Sequence, residues 1–472
     1  MSIKSLGQQS LIYGAGHVAS RGVTFLLLPL YTNVFSPEDY GIISLIFTFL
    51  GFMNVILHYG LDASLLKHYV PANSKDRMSI LTNSYISFVL STILIVTILI
   101  LFSSWVTNLL FGSDLSQISI LAGGILFFDV LWAIHTLILR AEGKPVPYML
   151  VSLLNVFLSL GLNLFLVLYL QMGVLGVLLS NLISSGIIFF TTFPIIIKRI
   201  SVSTLSLKRW KKLMNFGLPF LPAGIFSMTL ELSDRYILRY LTDLNTVGLY
   251  NAGYKLGMLM MLVVMGFNMA WQPYFLKKEK SETEYIAKIT TLIAAILGLL
   301  WILLIVWVED IVRFQIGSFS FFGSQYWSST QIVPMIALAY IFHAAYLLQI
   351  PGIFLMEKSS WITWVRGVGA ITNILLNFLL IPSLGIIGAA TATCLSFILM
   401  AVFIFSVNRK IFPIKYEWKK ILIITTVAVS IWIGVHQFPL DNVGKIGFTI
   451  LYPLIMFSMG ILRFNKLKTL LN

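Results

Sequence analysis

The chain has 472 residues, of which 58% are hydrophobic and 11% charged, with a mean hydropathy of +0.92. A soluble domain carries about 25% charged residues, so this chain lacks the polar surface of a water-soluble protein and must face lipid. Its formal charge is +14 and its only cysteine is Cys394, which excludes an intrachain disulfide and a cysteine-based metal site.

Apolar runs of bilayer-crossing length, about 20 residues, recur from end to end. The first, 8–32, comes after Lys4 and has no small-residue cleavage signal, so it is expected to be a retained span and not a signal peptide. Further spans are expected at 40–61, 80–103, 117–139, 147–170 and 173–197. A basic segment, 198–212, precedes a second series at 213–241, 247–275, 286–308, 330–355, 360–381 and 385–407. Two more runs lie at 420–436 and 446–462. The expected fold is an all-α polytopic membrane protein with about fourteen transmembrane helices. Pro29, Pro219, Pro222, Pro273, Pro334 and Pro351 fall inside spans, where neighbouring helices can satisfy the freed backbone groups.

Lys and Arg sort by loop along this series. Twenty-five lie at the termini and in one alternate set of loops, and three (Arg239, Arg313, Lys445) lie in the other. The positive-inside rule then places both termini in the cytoplasm, and the net charge is explained by topology without nucleic acid. Trp210, Trp271, Trp361 and Trp418 fall at inner ends and Trp105, Trp307 and Trp327 at outer ends, as interfacial anchors do. The largest outer connection, about 309–329, is short for a folded domain. No Walker A loop, HExxH or CxxC is present. An integral-membrane polymerase or glycosyltransferase would need a larger outer loop with Arg and His, or an acidic metal motif. This loop carries only Arg313, so an enzyme is rejected and no cofactor or metal is expected.

The chain also contains itself twice. Leu110-Phe111-Gly112-Ser113 returns as Phe321-Phe322-Gly323-Ser324, Asn163-Leu164-Phe165-Leu166 as Asn377-Phe378-Leu379-Leu380, Gly173-x-x-Gly176 as Gly385-x-x-Gly388, and Gly41 as Gly248. The repeat pairs spans 1–6 with spans 7–12. An even number of spans per copy makes the halves parallel, and a doubled transporter keeps its site between them. The expected layout is two parallel-related six-helix bundles, 1–197 and 213–407, joined by the linker 198–212. An added transmembrane hairpin and a basic tail, the tail expected to be cytoplasmic, occupy 408–472.

Several of these pieces resemble a known family. They are Phe35-Ser36-Pro37-Glu38-Asp39-Tyr40-Gly41, Ser233-Asp234-Arg235, Thr246-Val247-Gly248-Leu249-Tyr250, Phe322-Gly323-Ser324-Gln325-Tyr326 and Gly385-Ile386-Ile387-Gly388-Ala389-Ala390. In this order and spacing the sequence resembles the polysaccharide-type flippases of the multidrug/oligosaccharidyl-lipid/polysaccharide exporter superfamily, over about residues 7–407. The resemblance implies a bacterial inner-membrane protein that carries a lipid-diphosphate-linked oligosaccharide, such as an O-antigen, capsule or exopolysaccharide unit, from inner to outer leaflet by alternating access. It also implies membrane lipids, a polysaccharide polymerase and a chain-length regulator as partners. Two other superfamily members are the alternatives. A peptidoglycan-precursor flippase would want more basic residues in the first spans. A cation-coupled multidrug exporter usually has twelve spans and an acid-centred site.

Ionisable residues inside spans are costly and need a reason. Arg21 lies near the midplane of span 1, with no acid at helical spacing in its own span. Arg21, Lys255 and Arg366 are the candidate headgroup-binding residues, because arginine offers paired donors to phosphate oxygens. Snorkelling is the competing reading for Lys255 and Arg366, and a buried ion pair, for instance with Asp129, for Arg21. Glu231, Asp234 and Arg235 read as a gate or ion-pair network near the outer end, with Glu231 four residues before Arg235 and Asp234 placed to reach Lys255. Asp129 and His343 occupy matching repeat positions and are candidates for cation or proton coupling, with a polar bundle contact as the plainer reading. Asp62, Lys67, His68, Arg140, Glu142 and Lys144 cluster at inner span ends as a candidate cytoplasmic mouth, or as ordinary solvated helix ends. Gly253-x-x-x-Gly257 flanks Lys255 and is expected to allow close helix contact.

Overall fold

The computed structural model describes residues 25–112, 115–275, 283–317, 319–358, 360–438 and 441–462. These residues form an all-α membrane fold whose only ladder, among the described residues, is a two-residue pairing of β1 (Gln315–Ile316) with β2 (Phe319–Ser320). That pairing is antiparallel with Gln315 opposite Ser320. Contacts divide the chain into two compact units, Met1–Asn251 and Ala252–Asn472. This packing boundary falls within a helix, whereas the repeat boundary in the sequence lies at the basic segment 198–212.

The first unit holds α1 (Phe25–Val34), α2 (Pro37–His58), α3 (Leu61–Tyr69), α4 (Ser74–Leu101), α5 (Ser103–Phe111) and α6 (Ser116–Ala141). It continues with α7 (Pro145–Asn163, drawn out by a π turn to Tyr169), α8 (Gly173–Ile197), α9 (Leu207–Gly217), α10 (Leu221–Leu241) and the start of α11 (Leu244–Gly257). The second unit holds the rest of α11, α12 (Leu259–Phe275), α13 (Thr283–Arg313), α14 (Val333–Leu347), α15 (Ile350–Leu355), α16 (Ser360–Ile411), α17 (Trp418–Gln437) and α18 (Asn442–Ser458).

Among the described residues ten helices are long and apolar enough to cross a membrane, or eleven if α11 and the first part of α12, bent by 43°, form one span. The expected series of fourteen maps onto these unevenly. Most of span 1 lies outside the described residues. Spans 11 and 12 run on as the 52-residue α16, broken by a non-helical Gly385. The last span is the 17-residue α18. The outward faces are apolar, with Leu90, Leu94 and Leu101 of α4 and Phe157 of α7 all exposed, as a lipid-facing surface requires.

Local chemistry sets the helix starts. Ser36 caps α2 by accepting from the Asp39 amide at 3.1 Å, with Pro37 in the first turn and Glu38 and Asp39 favourable to the helix dipole. At the repeat-equivalent place, Asp243 accepts from the Thr246 amide at 2.7 Å to open α11. The corner between the fifth and sixth spans of each copy is also duplicated. Gly173 and Gly385 both adopt positive φ, +58° and +54°, which a side chain would strain.

The added hairpin of α17 and α18 is docked specifically. Lys445 Nζ bonds both carboxylate oxygens of Asp310, at 2.8 and 2.6 Å. Trp307 Nε1 donates to Thr449 Oγ1 at 3.1 Å, and Tyr452 Oη donates to the Ala295 carbonyl at 3.0 Å. All three contacts run along α13. Gly253 and Gly257 of α11 press on Ser329 and Ile336 of the same unit.

Candidate functional site

In the first unit α6 and α8 pack closely and carry two polar groups toward each other. Asp129 Oδ1 accepts from Ser185 Oγ at 2.5 Å and from Trp132 Nε1 at 3.0 Å. Both donors are neutral, and among the described residues no Lys or Arg forms an ion pair with this carboxylate. Nearly two turns further along α6, His135 is fully buried. Its Nδ1 lies 2.7 Å from Thr192 Oγ1 and its Nε2 3.0 Å from Tyr85 Oη. Thr192 uses its own hydrogen on the Ile188 carbonyl at 2.7 Å. His135 therefore donates through Nδ1 and accepts from Tyr85 at Nε2, a neutral imidazole tying α4, α6 and α8 together. The partners of His135 lie 50 and 57 positions away in sequence and carry no local signal.

In the second unit the equivalent positions hold different chemistry. His343 stacks on Phe397, with ring centroids 4.8 Å apart and planes at 9°, and lies 6.0 Å from Tyr346 at 17°. Arg366 Nε donates to Tyr346 Oη at 3.2 Å. Arg366 is half-buried, and among the described residues no carboxylate lies within ion-pair distance of it. Beside this group, α13, α14, α16 and α17 enclose an apolar cavity of about 410 Å³, walled by Trp301, Phe342, Phe405, Trp418 and Trp432.

At the expected gate, Asp234 and Arg235 are 1% and 4% exposed. Arg235 Nη1 donates to Asp234 Oδ1 at 2.8 Å and to the Glu231 carbonyl at 2.8 Å. Tyr250 Oη donates to Asp234 Oδ2 at 2.5 Å, tying α10 to the start of α11. A buried charge pair needs such full satisfaction to repay its desolvation. Close by in sequence, the repeat-equivalent glycines 41 and 248 meet each other. A Cβ on Gly41 would lie 2.1 Å from the Leu244 carbonyl oxygen, and one on Gly248 would lie 1.8 Å from that of Pro37. Only residues without side chains allow this backbone crossing. The sequence showed the two glycines as copies but not as neighbours.

Arg21 lies outside the described residues. Lys255 is half-buried on α11, in the second unit. Asp62 is half-buried at the start of α3. Lys67 Nζ sits 3.8 Å from the centroid of the Phe216 ring, and Arg140 Cζ 6.0 Å from that of Tyr148. Lys144 pairs with Glu142 at 2.7 Å. Glu142 joins further helix ends: Arg199 binds it through two nitrogens, at 2.8 and 3.0 Å, and Tyr69 Oη donates to it at 3.0 Å. Burial raises the Glu142 carboxyl, but the bonds from Arg199, Lys144 and Tyr69 and the Arg199 charge outweigh it and hold it down at about 2. Burial, and then the hydrogen bond and charge of Glu142, push the Tyr69 phenol up to about 12.

Comparison with known proteins gives a consistent picture. The family described as polysaccharide biosynthesis protein matches residues 6–279. An Lsg locus protein of Haemophilus influenzae is 24% identical over 71% of this chain and 84% of its own length. An uncharacterised membrane protein of Methanocaldococcus jannaschii is 22% identical over 95% of this chain and 94% of its own. Among solved structures, the lipid II flippase MurJ in an inward closed conformation superposes with a TM-score of 0.77. It is 17% identical and covers 95% of this chain and 98% of its own. An inward-facing multidrug resistance transporter of the same exporter superfamily gives 0.68 at 14% identity, over 90% and 96%. The fold is therefore that of this superfamily.

Proposed function

Since the chain belongs to the polysaccharide biosynthesis protein family, we propose that it is a flippase moving a lipid-diphosphate-linked oligosaccharide from the inner to the outer leaflet of a bacterial cytoplasmic membrane, with both termini inside. The observation that carries this reading is Arg366, a half-buried guanidinium whose described partner is a phenol and not a carboxylate. A diphosphate cannot cross hydrocarbon bare, and an unpaired arginine offers it two parallel donors. Arg21 and Lys255 complete the proposed headgroup path. The apolar cavity beside α17 offers the lipid chain a place to lie while the headgroup crosses.

Alternating access in this reading needs an outer closure that opens. The Asp234–Arg235–Tyr250 group and the Gly41–Gly248 crossing supply it, with the six-helix halves 1–197 and 213–407 as the moving parts. Asp129, whose hydrogen-bond donors are both neutral and which lies within electrostatic reach of His58, is the proposed coupling group for a cation or proton. Asp62, Lys67, Arg140 and Lys144, together with Glu142, are the proposed inner mouth. A polymerase and chain-length regulator would take over the product outside.

The test is a knockout assayed for lipid-linked sugar trapped on the cytoplasmic face, complemented by wild type and by Arg366→Ala and Arg21→Ala. Trapping relieved by wild type but by neither variant is the expected result. Full relief by both variants would remove the proposed headgroup path. The fold likeness to a lipid II flippase favours a peptidoglycan precursor as the second reading, and in that case the trapped species would be that precursor. Absence of any trapped lipid, with a gain in drug sensitivity, would point to the multidrug-exporter alternative.

A further inference from the structure

The linker between the repeat copies is fixed along one side. Thr204 carbonyl oxygen accepts from Ser79 Oγ at 2.9 Å and Asn83 Nδ2 at 3.1 Å, and the Ser206 amide donates to Asn83 Oδ1 at 3.0 Å. Trp210 Nε1 donates to Ser87 Oγ at 3.0 Å, and Ser64 Oγ to the Leu213 carbonyl at 2.8 Å. These bonds set its depth. At ~1.5 Å per residue, Ser87 lies about 21 Å and Asn83 about 27 Å along α4 from Leu101 at its outer end. Against a hydrocarbon thickness of ~30 Å, these contacts put the clamped side of the linker within about 3–9 Å of the inner hydrocarbon boundary, in the interfacial zone beside the headgroups.

Its free side joins two features that do not belong together in a water-facing loop. Val202, Leu205 and Leu207 are 71%, 45% and 67% exposed. Lys208, Lys211 and Lys212 stand beside them. Arg199 and Arg209 are neutralised by Glu142 and Asp76, whereas among the described residues no carboxylate pairs with these three lysines. The segment from 198 to 217 contains no acidic residue. Topology explains the lysines but not the apolar side chains among them. At 100° per residue Leu207 and Leu218 share one edge of α9, Lys208 and Lys212 the next, and Leu213 and Gly217 the buried side. Cations bordering an apolar edge at headgroup depth form a surface for anionic lipid.

We propose that the segment 201–218 is a binding site for anionic phospholipid. Lys208, Lys211 and Lys212 hold headgroup phosphates, and Val202, Leu205 and Leu207 seat among the acyl chains. The proposed orientation makes this the inner leaflet, but the site itself does not depend on the transported substrate. The full-length protein is placed in nanodiscs of phosphatidylcholine, or of phosphatidylcholine with phosphatidylglycerol, and amide hydrogen exchange is measured over 199–212. The discs carry the same lipid on both faces, so orientation does not enter. Exchange should slow on the order of 10-fold in the phosphatidylglycerol discs. The triple variant Lys208→Gln, Lys211→Gln, Lys212→Gln should lose that difference while α4 exchanges as before, and the matching triple Lys→Arg variant should keep it. Equal exchange in the two discs, or a difference surviving the Gln triple, overturns the proposal. So does equal slowing by inorganic phosphate in phosphatidylcholine discs, which would mark a site for soluble anions.

Discussion

Two places related by the internal repeat hold opposite chemistry on one frame. In the first unit Asp129 lies between Ser185 and Trp132. In the second, His343 lies between Phe397 and Tyr346, and all three residues are the repeat equivalents of the first three. The carboxylate is met by two hydrogen-bond donors on one oxygen, while the imidazole is covered by aromatic faces. Duplication has kept the helix packing that brings α6 to α8, and the second half of α16 to α14. It has not kept the polarity. A carboxylate satisfied by neutral donors can still take a cation, whereas a ring stacked at 4.8 Å mainly fills space. The same divergence recurs one helix away. Asn163 Oδ1 accepts from Tyr31 Oη at 2.8 Å, while its copy Asn377, equally buried, has no partner for Oδ1 among the described residues. At these two matched places the first unit has the satisfied polar contact and the second the less satisfied one.

This contrast can be broken or sharpened in a graded way. The largest effect is expected at Asp234→Ala, which leaves the Arg235 guanidinium buried without its carboxylate. A cost of about 3–5 kcal/mol is expected, read as loss of monodisperse protein on heating in detergent, and wild-type melting would show the pair to be dispensable. Next, Gly248→Ala drives a methyl group into the Pro37 carbonyl and should cost about 1–3 kcal/mol. Pairing it with Gly41→Ala should give a non-additive double mutant, because both act at one crossing. On transport, Asp129→Asn keeps the neighbours but removes the charge. It should slow gradient-driven transfer about 10-fold, equivalent to ~1.4 kcal/mol, and flatten its dependence on the gradient. His343→Phe should stay much nearer wild type, and the reverse ranking would move coupling to the second unit.

Smaller still, Asn163→Leu strands the Tyr31 hydroxyl and should destabilise more than Asn377→Leu by about 1 kcal/mol. Equal melting temperatures would show that the orphan oxygen is satisfied in the membrane. The smallest effect is at acid pH. Glu142 is held below its unfolded value of 4.5, at about 2, so its contribution is complete above pH 4.5 and is lost as pH falls through about 2. Glu142→Gln should therefore remove acid sensitivity in that window, visible as release of the Arg199 side of the linker by hydrogen exchange.

Much of the architecture was legible in order. Helix starts such as Ser36-Pro37-Glu38-Asp39 announce themselves through capping chemistry that lies within four residues. The basic segment 198–212 was visible by composition. Its clamp onto α4 was not, because Ser79, Asn83 and Ser87 look like unremarkable polar residues of a span until their partners arrive from more than 100 positions away. Glu142 was read as one member of the mouth cluster, but its bonds to Arg199 and Tyr69 were not legible, since ion pairing depends on which helix ends converge.

Local transfer energies and self-similarity are properties of the amino-acid sequence alone, and they determined the spans, the sorting of Lys and Arg by loop, and the doubled frame with its glycines at 41, 173, 248 and 385. The tertiary structure decided which copies touch and which polar atoms are satisfied: that Gly41 meets Gly248, that Asp129 finds Ser185, that Arg366 finds a phenol. The physical reason is that hydropathy is summed along a helix, whereas a hydrogen bond or a backbone crossing depends on the rotation and approach of two helices to within a few tenths of an ångström, which only packing sets.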